Sequence, residues 1–233
     1  PRLKSRVKKK QSLGHLRSKW NNLWLSYPHQ GCRNAVTAIL KSNFMKLTED
    51  QAFEQIDFQV QPFTIGEYEN CSFIKCSFIG IDLSGSIFIN CTFTDCDMSV
   101  VKVNQVVFND THFVGCKLIG ILFDSCKEYG LGVSFNNCNI DNASFYGTKI
   151  KGLRFVKSSL KSVDFSNADL NTALFDDCDL LHAKFDNSTL EKVDFTTSYN
   201  YLIDADANRV KKSKHSVQGA MGLLHKYDLI IKI

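Results

Sequence analysis

The chain has 233 residues, of which 44% are hydrophobic, and it carries 28 Lys and Arg against 24 Asp and Glu. This length and composition allow a single domain with a sizeable core. No apolar run approaches the length of a membrane span and no secretory signal is visible, which argues against an integral membrane protein or a secreted one.

The first 44 residues differ in charge from the rest of the chain. They contain ten Lys and Arg, no acidic residue and both tryptophans, whereas the remaining residues carry eighteen Lys and Arg and all 24 acids. Three interpretations of residues 1–44 stay open: an arm that contacts nucleic acid or membrane, a transit peptide, or a segment that the mature protein lacks. We expect this extension to be disordered or at most marginally helical.

Residues 46–70 lead into a long repeat with a period of five residues. The third residue of each five is Phe, Leu, Ile or, less often, Met or Val. The first residue of each five is small or aliphatic. The most regular run covers 133–197, where the centres alternate between Phe and an aliphatic residue from Phe135 to Phe195. A period of five fits neither a helix nor a strand, and a period sustained this long indicates a solenoid.

Pairs of opposite charges twenty residues apart indicate how many five-residue repeats make up one coil of the solenoid. Seven such pairs occur within the repeats, and no like-charged pair does: Lys75–Asp95, Asp82–Lys102, Asp97–Lys117, Asp141–Lys161, Lys149–Asp169, Lys157–Asp177 and Asp164–Lys184. Like charges that face each other on neighbouring strands are disfavoured, so residue i is predicted to lie above residue i+20. Four fives then form a square coil, and the repeats make about six to seven coils at the strand spacing of a β-sheet. Two facing walls of Phe and two of Leu or Ile fill the interior.

One interruption separates the two runs of repeats. Two extra residues lie within residues 126–132. Lys127, Glu128 and Tyr129 are therefore predicted to project from the wall. They form either a tolerated bulge or a small recognition loop.

The five-residue period ends after residue 197, and residues 203–233 are predicted to form a cap. Ser216 is a suitable N-cap for a short helix. One face of that helix is apolar and consists of Val217, Ala220, Met221 and Leu224. Residues 229–233 resemble a short strand that either pairs with the rod or meets its copy in a second chain. The residues predicted to join a homodimer through the C-terminus are Met221, Leu224, Leu229, Ile231 and Ile233.

Seven of the nine cysteines take the first position of a five, where they would point into the rod. Columns of this kind do not converge on the tetrahedral geometry of a zinc site, and no cofactor is expected. Disulfides between coils are sterically conceivable, but cysteine is also a small buried hydrophobe. The second interpretation is favoured and indicates a reducing, cytoplasmic environment.

The repeat resembles the pentapeptide-repeat family, whose motif is A(D/N)LXX. ADLNT at 168–172 matches this motif closely, and CDLLH and VDFSN nearly match it. The resemblance covers roughly residues 53–200 and implies an all-β solenoid, a right-handed quadrilateral β-helix with a short C-terminal helix. The predicted organisation is an extension over 1–44, the β-helix over 45–202 and a C-terminal cap over 203–233.

No recognisable catalytic constellation accompanies the repeat. The sequence contains no GxSxG, HExxH, P-loop or CxxC motif, and its six histidines are scattered. A rod filled by Phe and Leu leaves no pocket of ligand size, so an enzyme or a small-molecule receptor is the least expected class. The prediction is a non-enzymatic interaction protein of the bacterial cytoplasm.

The C-terminal ending is loosely similar to that of the quinolone-resistance branch of the family, in which a C-terminal element joins two rods tail to tail. This similarity implies a DNA mimic that binds a type II topoisomerase, either DNA gyrase or topoisomerase IV, and so confers protection from quinolones. A surplus of acids near the last coil would supply the negative surface: Asp176, Asp179, Asp186, Glu191 and Asp194. The alternative is a passive scaffold or protein-binding module without any nucleic-acid role, which the paired charges and the small insertion favour.

Overall fold

The structure is a computed structural model that describes residues 45–230. The predictions for residues 1–44, and those for Ile231 and Ile233, lie outside the described residues. The described chain forms a parallel β-solenoid with about six coils between residues 67 and 199, followed by a short helix. The predicted all-β solenoid with a helical C-terminal cap is confirmed.

Ten short strands form the walls and pair in parallel in one sheet. They are β1 (Lys46–Glu49), β2 (Ala52–Glu54), β3 (Gly66–Glu69), β4 (Ser72–Ile74), β5 (Ile87–Ile89), β6 (Thr92–Thr94), β7 (Val107–Val114), β8 (Leu131–Asn136), β9 (Arg154–Val156) and β10 (Leu174–Asp176). Isolated parallel bridges continue the ladder between the strands. The helical elements are α1 (Val217–Leu224) and the 3-10 turns Phe123–Ser125, Glu128–Gly130 and His225–Tyr227.

Each regular coil contains twenty residues. Phe155 pairs with Phe175, and Asp164 lies beside Lys184 on the neighbouring coil. The predicted offset between stacked residues is therefore confirmed, and with it the four pentapeptides per coil.

Each coil has four sides, and each side takes one pentapeptide from every coil. Side 1 is centred on Phe53, Phe73, Phe93, Phe113, Phe135, Phe155, Phe175 and Phe195. Side 2 is centred on Phe58, Phe78, Met98, Leu118, Ile140, Leu160 and Leu180, and side 3 on Leu83, Val103, Phe123, Phe145, Phe165 and Phe185. Side 4 is centred on Thr48, Tyr68, Phe88, Phe108, Leu131, Ile150, Leu170, Leu190 and Val210.

The rings of side 1 stack in a continuous column inside the solenoid. Phe155 lies 5.1 Å from Phe135 and 5.0 Å from Phe175, measured between ring centroids, and both pairs are nearly parallel. Across the interior, Phe155 meets Phe165 of side 3 edge-on at 5.8 Å. Stacked and edge-to-face contacts both suit the charge distribution of aromatic rings. The two predicted Phe walls thus face each other as expected.

The fifth residue of most pentapeptides turns the chain around a corner. It adopts a left-handed conformation, for example at Lys75 with φ 53° and at Asn167 with φ 60°. Gly, Asn and Asp tolerate this conformation better than most residues, which explains why they are frequent at the fifth position.

The predicted interruption is confirmed as a two-residue irregularity in the ladder. Phe108 pairs with Leu131 at an offset of 23 residues, whereas Thr111 pairs with Val133 at an offset of 22. The extra residues form the 3-10 turn Glu128–Gly130 on the way from side 3 to side 4.

The seven charged pairs lie in register, but most of them are not direct ion pairs. Within the described chain, Asp97–Lys117 alone of the seven forms a side-chain ion pair, at 3.7 Å, whereas Asp141 accepts a hydrogen bond from the backbone amide of Lys161 at 2.9 Å. Lys161 instead reaches Asp179 at 3.3 Å, because a long lysine side chain extends diagonally to a neighbouring pentapeptide. The charges therefore predicted the register correctly, although most of the seven pairs form no side-chain ion pair.

The ladder continues beyond the last repeat visible in the sequence. Arg209 lies beside Thr189 on the previous coil. The ring of His215 stacks on Phe195 with a centroid distance of 5.5 Å, so that it occupies the next place in the side 1 column. The pentapeptide pattern did not reveal this coil, because His215 replaces the expected Phe.

Helix α1 packs on the last coil through its glycines. The hydroxyl of Ser216 accepts a hydrogen bond from the Gly219 amide at 2.9 Å, which confirms the predicted N-cap. A Cβ atom on Gly219 would overlap the Tyr201 hydroxyl, and one on Gly222 would overlap the Tyr201 carbonyl oxygen. The close approach of helix and coil therefore depends on glycine at both positions.

Within the apolar face predicted for α1, Ala220 and Met221 are half-buried, and Val217 and Leu224 are exposed. Val217 is 82% exposed and Leu224 is 39% exposed, whereas Leu223 packs against the core. The expected C-terminal strand is absent from its two described residues, Leu229 and Ile230, which are both exposed. The apolar periodicity predicted the wrong contact face for α1. The face that packs closely on the last coil contains Gly219 and Gly222, and glycine does not contribute to an apolar pattern.

Candidate interaction surfaces

The outward side chains are the part of the solenoid that can meet another molecule, since the four walls fill its interior. They occupy the second, fourth and fifth positions of each pentapeptide. Within residues 45–230, no group of three or more His, Cys, Asp or Glu could hold a metal ion. No helix in the same range is long and apolar enough to cross a membrane.

The five acids predicted to form a negative surface lie around the whole circumference. They belong to successive pentapeptides, and four pentapeptides make one circuit. Side 1 carries Asp176 and Asp194, side 2 Asp179, side 3 Asp186 and side 4 Glu191. The structure therefore does not bring these carboxylates together on one side.

Two of these carboxylates have a lysine partner. Asp179 lies 3.3 Å from Lys161, and Asp194 lies 3.0 Å from Lys214. Burial disfavours the charged form of Asp179, but hydrogen bonds from Asn200 and Lys161 outweigh burial and lower its pKa. Hydrogen bonds from Thr196 and then from Lys214 lower the pKa of Asp194. These two acids contribute less free negative charge than the sequence indicated.

Side 4 has a cluster of cations near Glu191 that the sequence did not single out. Lys192, Arg209, Lys211 and Lys212 are exposed, and none of them forms an ion pair with any described residue. Sequence reasoning missed this cluster because residues 203–233 were interpreted as a cap. Their proximity to Lys192 follows from the additional coil.

The predicted recognition loop projects from the wall as expected. Lys127 and Glu128 are exposed, and Tyr129 is 100% exposed. Glu128 holds Lys149 of the next coil at 2.6 Å, and this hydrogen bond raises the pKa of Lys149. A depression of about 460 Å³ beside the loop is lined by Gln105, Val107 and the loop itself.

The residues predicted for dimerisation border an open groove between α1 and the last coil. Met221, Leu224 and Leu229 line this tail groove, whose volume is about 900 Å³. Its other wall includes Tyr199 and Leu202, which are 48% and 52% exposed. The tail groove therefore presents apolar surface to solvent.

A lysine fixes the end of the helical segment to the last coil. Lys226 forms ion pairs with both Asp204 and Asp206, and Tyr227 donates a hydrogen bond to Asp206 at 3.1 Å. The hydrogen bonds that Lys226 donates to the two carboxylates raise its pKa. These contacts join Lys226 and Tyr227 to the last coil.

All eight described cysteines are free and buried. The thiol of Cys96 donates to the carbonyl of Phe73 at 3.3 Å, and other cysteines of the column repeat this contact one coil apart. Burial raises the pKa of Cys91 to about 11 and that of Cys178 to about 11. The prediction that these cysteines are small buried hydrophobes is confirmed.

Known proteins share both the repeat and the fold. The pentapeptide repeat region, as a family, matches residues 67–128 and 131–199, and the break between the two matches falls in the irregular turn. No curated protein matches the chain.

Two solved structures are among those to which the chain is similar. A trypsin-treated variant of QnrB1, a plasmid-mediated fluoroquinolone resistance protein, is 17% identical with a TM-score of 0.51, and the match covers 80% of this chain and 100% of that chain. HetL, a pentapeptide repeat protein involved in heterocyst differentiation regulation from the cyanobacterium Nostoc sp. strain PCC 7120, is 9% identical with a TM-score of 0.47. That match covers 79% of this chain and 94% of HetL.

Proposed function

The chain belongs to the pentapeptide-repeat family, and from that premise we propose that it is a non-enzymatic rod that binds a protein partner through its outer surface. The observation that carries this proposal is the filled interior, in which Phe155, Leu160, Phe165 and Leu170 are fully buried. Binding then depends on side chains that stand outside the walls. A rigid rod suits this role because little conformational entropy is lost when it binds.

The proposed partner is a type II topoisomerase of the bacterial cytoplasm, DNA gyrase or topoisomerase IV. The rod would act as a DNA mimic and protect the enzyme from quinolones. Support comes from a fold shared with a fluoroquinolone resistance protein and from Asp176 and Asp186, whose carboxylates form no ion pair with the described residues. A negative rod that enters a basic groove gains from electrostatic complementarity.

The proposed binding form is a homodimer joined at the C-termini through the tail groove. The apolar side chains around that groove support this arrangement, because exposed apolar surface of this kind marks interaction sites. Leu224 and Leu229 would lie at the centre of the contact.

A supercoiling assay tests the topoisomerase proposal. Purified gyrase is inhibited with a quinolone in the presence of the full chain, and we expect supercoiling to recover. Asp176→Lys with Asp186→Lys should remove the protection, because the variant reverses two unpaired charges near the last coil. The matched control is Glu54→Lys with Asp124→Lys, which reverses two charges elsewhere and should retain protection.

Absence of protection at micromolar protein would contradict the topoisomerase proposal. The alternative, a scaffold or protein-binding module without nucleic-acid role, would then stand. The distribution of the five predicted acids over all four sides, with Asp179 and Asp194 paired to lysines, favours that alternative.

A further inference from the structure

Side 4 carries opposite net charges at its two ends. Its first two rungs, centred on Thr48 and Tyr68, hold four carboxylates and one lysine: Glu49, Asp50, Glu67, Glu69 and Lys46. Its last two rungs, centred on Leu190 and Val210, hold four cations and one carboxylate: Lys192, Arg209, Lys211, Lys212 and Glu191. One side of the solenoid is thus negative at one end and positive at the other.

The charges of the middle rungs largely neutralise one another within the chain. Lys149 is paired with Glu128 at 2.6 Å, and Lys151 with Asp169 at 3.1 Å. Before them, the strands β5 and β7 present partly exposed aliphatic side chains, such as Ile87. Side 4 is therefore neutral and partly apolar in the middle and charged at both ends. It is complementary to a partner surface that is positive opposite its negative end and negative opposite its positive end.

The centre of side 4 is marked by the projecting loop. Leu131 is the centre of the fifth of its nine rungs, and Tyr129 stands two residues before it with its side chain fully exposed. The depression beside the loop reaches Val107 on the preceding rung. An exposed aromatic side chain next to a depression is typical of a contact residue.

We propose that two copies of the chain associate antiparallel, side 4 against side 4. A two-fold axis across the side at the fifth rung would place the first rung of one copy opposite the ninth rung of the other. Asp50 would then face Lys212, and Tyr129 would meet its own copy at the axis. A parallel arrangement would instead place like charges together at both ends, which is disfavoured.

This association goes beyond the proposed function and uses a different surface. The tail groove residues Leu224 and Leu229 are not on side 4, so either contact can be removed without the other. One set of sedimentation experiments on the full chain separates them.

Charge reversal at one end is the first test. Sedimentation velocity at low salt should show a dimer that dissociates as salt is added, since exposed charges are screened. Reversal of the negative end by Glu67→Lys with Glu69→Lys, or of the positive end by Lys192→Glu with Lys212→Glu, should raise the dimer Kd by about tenfold or more. The control Lys157→Glu with Lys184→Glu carries the same change of charge as the reversal of the positive end, but outside side 4, and should leave the Kd unchanged.

Reversal of both ends in one chain is the decisive variant. It restores the complementary order of charges, with positive and negative ends exchanged, so the dimer should form again. Single-end variants that dimerise as the wild type does, or a combined variant that stays monomeric while folded by circular dichroism, would overturn the proposal.

The tail variant Leu224→Asp with Leu229→Asp distinguishes the two contacts. If it abolishes all self-association while the charge variants change nothing, the dimer of the proposed function stands and the antiparallel association is refuted. If it leaves a salt-sensitive dimer that the charge variants abolish, the antiparallel association is supported. A wild-type chain that is monomeric at every concentration refutes both.

Cross-linking at the axis gives a second readout. Tyr129→Cys in a Cys32→Ser background should yield a covalent dimer with a short bis-maleimide, because a residue near a two-fold axis lies close to its own copy. The control Val100→Cys is also exposed, at 59% for the native valine, but lies away from side 4 and should give no dimer. Equal yields from both variants would overturn the proposed geometry.

Discussion

The walls between residues 133 and 197 and the C-terminal segment between residues 198 and 230 are stabilised in different ways. In the walls, one contact repeats: Phe155 stacks between Phe135 and Phe175, and its neighbours do the same. In the C-terminal segment, the ladder and the ring column continue for one further coil, but the contacts of α1 occur once, as where Gly222 meets the backbone of Tyr201. A contact that repeats in every coil appears in the sequence as a residue type that recurs at a fixed spacing. A contact that occurs once involves two residues whose proximity the sequence does not indicate.

The largest expected effect comes from breaking a wall. Phe155→Ala removes a ring that is stacked on both faces and leaves a cavity, so it should lower the free energy of unfolding by about 3–5 kcal/mol. Chemical denaturation followed by circular dichroism measures this change. Tyr146→Ala on the same coil removes an exposed ring and should change stability by less than about 0.5 kcal/mol.

A smaller effect is expected at the single close fit. Gly222→Ala would stabilise an isolated helix by about 1 kcal/mol. Here the new methyl group overlaps the Tyr201 carbonyl oxygen, so we expect destabilisation of the C-terminal segment by about 1–3 kcal/mol instead. Hydrogen exchange of α1 measures the change, and its sign decides whether helix propensity or packing dominates. Gln218→Ala, an exposed position on the same helix, serves as the control and should not destabilise the segment.

The smallest effect concerns the pH dependence of the junction between the two regions. Burial lowers the pKa of His215, although the charge of Asp194 acts in the opposite direction. His215 also makes hydrogen bonds of 2.9 Å with Tyr201 and with Ser213. Because the folded-state pKa lies below the unfolded value of about 6.5, the unfolded chain binds the proton first as pH falls, and stability should decrease below about pH 6.5.

His215→Phe tests this dependence. The variant keeps a ring on Phe195 but cannot be protonated, so the part of the stability change between pH 7 and pH 5 that comes from this residue should vanish. Thermal melts at the two pH values give the comparison. His225→Phe, at an exposed position, should retain the wild-type difference, and an unchanged pH profile for His215→Phe would contradict the assignment.

The period of five and the charges twenty residues apart predicted the coil, the facing Phe walls and the two-residue interruption. These features depend on residue type at a repeated position, which a single sequence displays. The charges did not predict which lysine meets which carboxylate, because side-chain length lets Lys161 choose Asp179 over its partner in register. The distribution of the acids near the last coil around the circumference follows from the same register, because they belong to five successive pentapeptides.

The sequence predicted that the C-terminal segment contains a short helix, but it did not predict which face of that helix packs on the last coil. Ser216 as N-cap depends on local chemistry, which the sequence contains. The face that α1 buries depends on Tyr201, which lies fifteen residues before Ser216 and belongs to no repeat. Apolar periodicity indicated a different face, since glycine contributes nothing to such a pattern.

The buried thiols make the opening of individual coils chemically measurable. Cys76, Cys96, Cys116, Cys138 and Cys178 lie on successive or nearby coils, each sealed beneath the backbone of its neighbours. A thiol reagent can modify such a group only after the local structure separates, because the reactive thiolate must reach solvent. The labelling rates of these native cysteines would therefore show whether the solenoid begins to open at either end or at the irregular turn, and no cysteine has to be introduced for the experiment.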